Sequence, residues 1–95
     1  PNEAMIEEAC AAARAAAAPG RTPRIGLLAT FQPTLDSMPP EFPADVHVVT
    51  ALAEGALAAM DAGDPATHDR LAAEAARALA HCDVIALAQF SLARA

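Results

Sequence analysis

The chain has 95 residues, enough for one modest domain that buries a smaller share of its surface than a larger enzyme does. Net charge is −6, the six basic residues are all Arg, and the only aromatic residues are three Phe. This balance argues against nucleic acid and anionic membrane as partners, because both need a basic surface and single-stranded bases also need aromatic platforms.

The first segment, "NEAMIEEACAAARAAAA", reads as a helix. Asn2 can cap it, Glu3, Glu7 and Glu8 suit the positive N-terminal end, and Arg14 suits the far half. Met5, Ile6, Ala9, Cys10 and Ala13 recur at helical spacing and place Cys10 on the packed face, until Pro19 and Gly20 stop the helix. "RIGLLAT" is then a short buried strand. The next stretch, "FQPTLDSMPPEFPAD", reads as a long proline-rich loop, and loops of this length inside compact domains are usually functional or mobile. "DVHVVTA" follows as a second strand, rich in β-branched residues.

"LAEGALAAMDAG" predicts a short helix closed by Gly63. Asp64 then offers a cap with Pro65 in the first helical position, and the periodicity carries that helix to about His81. Its apolar face is Leu71, Ala75, Ala78, Leu79 and Cys82, beside a polar stripe of Arg70, Glu74, Arg77 and His81. A last strand runs from Asp83 through Val84 to Leu87. Strands alternating with helices imply an α/β fold, a three-layer sandwich with a mostly parallel sheet covered on both faces. The expected unit is a single domain over residues 1–95. Because the chain opens on Pro1 and its last strand has no element after it, the reading is one lobe of a longer two-lobe protein.

Parallel sheets bind ligands outside the C-terminal ends of their strands. Thr30, Gln32 and Thr34 follow the first strand, and Gln89 and Ser91 follow the last. Hydroxyl and amide groups of this kind suit a small carboxylate or carbonyl ligand but supply neither nucleophile nor base. The triplet His81-Cys82-Asp83 holds three reactive types, yet Cys82 falls on the apolar stripe and sequence neighbours on a helix end do not face one another. His47 lies within a strand and reads as a sheet-face residue, and His68 beside Asp69 reads as a solvated surface histidine.

Neither a Walker pattern, nor GxGxxG, nor a nucleophile elbow occurs, and the two cysteines have no metal-ligand spacing. No cofactor and no metal are therefore expected. With no disulfide framework, no apolar run near 20 residues and no signal-peptide pattern, the chain reads as cytoplasmic, without membrane partners.

Taken together, "RIGLLATFQPTLDSM", "EGALAAMDAGD" and "CDVIALAQFSLAR" resemble the second lobe of the aspartate/glutamate/hydantoin racemase superfamily. The resemblance covers most of the chain from Arg24 onward. It implies two similar α/β lobes with the active site between them, working without a cofactor on the α-carbon of a small carboxylic or amino acid. Thr30 and Thr34 match the family's threonine-bearing loop after the first strand of this lobe, with one extra residue. Gln89 stands where the family places one of its two thiols, and a Gln is no acid or base near neutral pH.

The resemblance thus implies a substrate-binding set of Thr30, Gln32, Thr34, Gln89 and Ser91 with no catalytic residue in this segment. The reaction would be that of a racemase-like isomerase or a single-cysteine decarboxylase, with a thiol on the other lobe. Two alternatives stay open: a lobe that kept its carboxylate cradle as a regulatory binding module, and a packing domain whose alanine-rich helices serve self-association.

Overall fold

The computed structural model describes residues 3–88 of the chain. Helix α1 spans Glu3–Ala16, strand β1 Arg24–Ala29, helix α2 Gln32–Ser37, strand β2 His47–Leu52, helix α3 Ala56–Asp61, helix α4 Pro65–Arg77 and strand β3 Val84–Ala88. The three strands form one sheet in the order β2-β1-β3, and both pairings are parallel. The α/β architecture read from the sequence is the one observed. No helix among the described residues is long and apolar enough to cross a membrane.

β1 is the central strand, and from Ile25 to Ala29 it is buried on both faces. That explains its unbroken apolar run, since a strand covered twice has no face left for polar residues. Successive side chains go to opposite layers. Ile25, Leu27 and Ala29 join Ile6, Cys10 and Ala13 of α1, Leu35 of α2 and Met38 beside it, and Phe42 and Val46 in one core. Leu28 joins Ala53, Ala56 and Leu79 in the other, against Leu71, Ala72, Ala75 and Ala76 of α4.

The crossover from β1 to β2 runs one way along the sheet, and that from β2 to β3 runs back past β1. Crossovers of constant hand that travel in opposite directions must use opposite faces. Accordingly α2 shares its core with α1, while α3 and α4 take the other side.

The predicted proline-rich loop is not a loop throughout. Residues 32–37 form α2 and Pro39–Glu41 a single 3-10 turn. Pro33 sits in the first turn of α2, where a missing N–H costs nothing, and Leu35, Met38, Phe42 and Val46 are buried. The three-residue spacing of Leu35 and Met38 is the helical signal that the prolines mask.

The helix predicted from Leu52 begins only at Ala56. Leu52 pairs with Ala29 as the end of β2, and Gly55 turns the chain with φ +83°. At the other boundary α4 ends at Arg77 rather than His81. Leu79 N–H donates to Ala76 O at 2.9 Å and Cys82 N–H to Leu79 O at 2.9 Å, tight i to i−3 bonds that replace the α pattern.

Candidate functional site

The order β2-β1-β3 creates a switch point at the C-terminal end of β1. Chain leaving β1 passes to the β2 side, whereas β3 lies on the other, and this divergence opens a crevice in parallel sheets. Register fixes what stands there. Ala29 pairs with Leu52 on one side and Ala88 on the other, so these three residues stand at one level. Thr30 is the next residue of the central strand, and Ala53 beside it donates its N–H to Ala29 O at 2.9 Å.

Of the predicted site residues, Thr30, Gln32 and Thr34 come to this edge, but not as members of a free loop. Thr30 is half-buried at the tip of β1. Gln32 and Thr34 belong to the first turn of α2, which Phe31 precedes in extended conformation. Gln32 is exposed and already occupied, its Nε2 donating to Asp36 Oδ1 at 2.9 Å. Its expected part in ligand binding therefore competes with an i, i+4 contact along its own helix.

Thr34 is half-buried and uses its backbone oxygen to accept from Met38 N–H at 3.0 Å. The side-chain hydroxyls of Thr30 and Thr34 make no hydrogen bond among the described residues. Gln89 and Ser91 lie outside the described residues.

One residue at the edge escaped the sequence reading. Glu54 follows directly on Ala53 after β2, exposed, and its side chain makes no hydrogen bond or ion pair among the described residues. The signal was present in "ALAEG": the rule that places ligands beyond strand ends applies to β2 as much as to β1. It was hidden because the stretch reads as helix from Leu52.

Neither thiol is at this edge. Cys10 is buried in the α1 core. Cys82 precedes β3, and the strand between it and the C-terminal edge is about 20 Å long at 3.3 Å per residue. Burial pushes the Cys82 thiol up, the charge of Asp83 adds to this, and Arg24 opposes it only in part. His81 Nε2 does lie 3.8 Å from Cys82 Sγ, a contact that the sequence reading did not expect, yet the thiol remains protonated near neutral pH.

The remaining histidines hold no ligand geometry. His47 is exposed on the edge strand β2. His68 differs from expectation, for its side chain is only 18% exposed and its Nδ1 lies 3.0 Å from Asp69 Oδ1. No group of three His, Cys, Asp or Glu among the described residues could hold a metal ion. A groove between α1 and β3, lined by Met5, Glu8, Ala9, Val84 and Ile85, runs along the side of the sheet and is apolar apart from Glu8.

The charges that are paired serve the scaffold. Arg14 reaches Asp45 with a forked contact, Nε to Oδ2 at 3.0 Å and Nη2 to Oδ1 at 2.8 Å, tying α1 to the approach of β2. Asp64 caps α4 by accepting from Thr67 N–H at 3.2 Å and Thr67 Oγ1 at 2.6 Å. Those bonds hold the Asp64 carboxyl below the usual carboxylate range. No protein-family model, no curated protein and no solved structure matches the chain.

Proposed function

We propose that the chain is one lobe of a racemase-like protein of the aspartate/glutamate/hydantoin racemase superfamily. It acts at the α-carbon of a small carboxylic or amino acid, and this lobe supplies the groups that hold the substrate. The observation that carries the reading is the pair of half-buried threonine hydroxyls, Thr30 and Thr34, unengaged among the described residues at the C-terminal switch of a parallel sheet. Hydroxyls so placed donate to a carboxylate without adding charge of their own.

Glu54 sharpens the substrate class. Its carboxylate repels an anion and attracts a cation, so an amino acid, with a carboxylate for the threonines and an ammonium for Glu54, fits this edge better than a simple acid. Gln89, standing at the family's thiol position, and Ser91 would orient the substrate or donate to a developing enolate. No cofactor enters the proposal, and a thiol from the other lobe would move the proton.

Proton exchange in deuterated water tests this. A panel of L- and D-amino acids and small dicarboxylic acids is incubated with the protein and followed by NMR. Loss of the α-proton signal supports the enzyme. Calorimetric binding of one panel member without exchange supports the second reading, a regulatory module that kept the cradle, which the Gln at position 89 favours. Neither binding nor exchange across the panel sinks both.

A further inference from the structure

We draw no further inference here: the strongest candidate, the apolar groove between α1 and the outer edge of β3, lined by Met5, Ala9, Val84 and Ile85, has nothing in the structure to show what covers it.

Discussion

Leu79 lies against the bare backbone of Gly26: a Cβ at Gly26 would stand 3.0 Å from both Cβ and Cδ1 of Leu79 and 3.3 Å from Cys82 Sγ. The contact joins the middle of the central strand to the tight turn after α4. A side chain there has no flexible neighbour to displace, because Leu79 Cβ is anchored to its own backbone and Leu79 is fully buried. Gly26→Ala is expected to lower stability by about 1–3 kcal/mol through overpacking, measured by urea unfolding. Leu79→Ala alone is expected to cost about 2–5 kcal/mol. If the clash is the cause, the double variant loses less than the sum of the two, and strict additivity would refute it.

Arg24 and Asp83 are bound to each other twice at the start of their strands. Arg24 N–H donates to Asp83 Oδ2 at 2.8 Å, and Asp83 N–H donates to Arg24 O at 2.9 Å. The side chain of Asp83 is 11% exposed and stands 3.7 Å from Arg21 Nη2. Removing the carboxylate by Asp83→Ala is expected to cost about 1.5–3 kcal/mol, the worth of one hydrogen bond to a charged acceptor. Asp83→Asn keeps an oxygen acceptor and should recover part of that loss. Equal stability of the two variants would deny a role to a neutral oxygen acceptor at this position.

The two faces of β3 should respond differently to substitution. Ala86 and Ala88 point into the α1 core, while Ile85 is 43% and Leu87 53% exposed, because α3 and α4 cover β1 and β2 but not β3. Leu87→Thr is therefore expected to change stability by less than about 0.5 kcal/mol, as surface substitutions usually do. Leu27→Ala on the central strand should cost about 2–5 kcal/mol. A large loss at Leu87 in the same unfolding assay would mean that this face is covered in solution.

Acid should destabilise the fold through two particular carboxylates. The Arg14 guanidinium holds the Asp45 carboxyl below its usual range by hydrogen bonding, and Thr67 does the same for Asp64. Below the usual value, about pH 4, the unfolded chain binds protons that the folded chain still refuses, so stability rises with pH there. Their contribution is complete above that pH and disappears as pH falls through the lower folded values. Both groups are exposed, so the effect is modest and weakens with added salt. Unfolding midpoints from pH 2.5 to 7 should fall less steeply below pH 4 in the double variant Asp45→Asn, Asp64→Asn than in the parent. Matching slopes would remove these two groups from the account.

At the candidate site, Thr30→Val is expected to weaken binding of an amino acid ligand by about 10- to 100-fold, the loss of one hydroxyl bond to a carboxylate. Glu54→Gln should weaken an amino acid while leaving or improving a dicarboxylic acid without an amine. Calorimetry on the two ligand classes reads both effects. Parallel changes for the two classes would deny Glu54 a role with the ammonium.

Much of this molecule can be read along the chain. The alternation of helix and strand, the helical face that buries Cys10, the buried run of β1, and the Asp64 cap before Pro65 all depend on neighbours within a few residues. So does the polar character of Thr30, Gln32 and Thr34 after β1, and hence the suspicion of a site there.

Other features depended on partners far away in sequence. Prolines masked α2 because the pull of the core on Leu35, Met38 and Phe42 is a tertiary force. Leu52 reads as helix in isolation, but pairing with Ala29 makes it the end of a strand. Past the end of α4 at Arg77, Leu79 packs on Gly26, a contact across 53 positions of sequence.

The sequence alone thus determined the class of fold and the kind of chemistry available, since composition and local periodicity decide which segments fold and which groups they carry. Only the tertiary structure decided that β1 is central, that Glu54 joins Thr30 at one edge, and that Cys82 lies at the opposite end from them. Those are facts of strand order and register, which are set by long-range pairing and by packing against two helical layers.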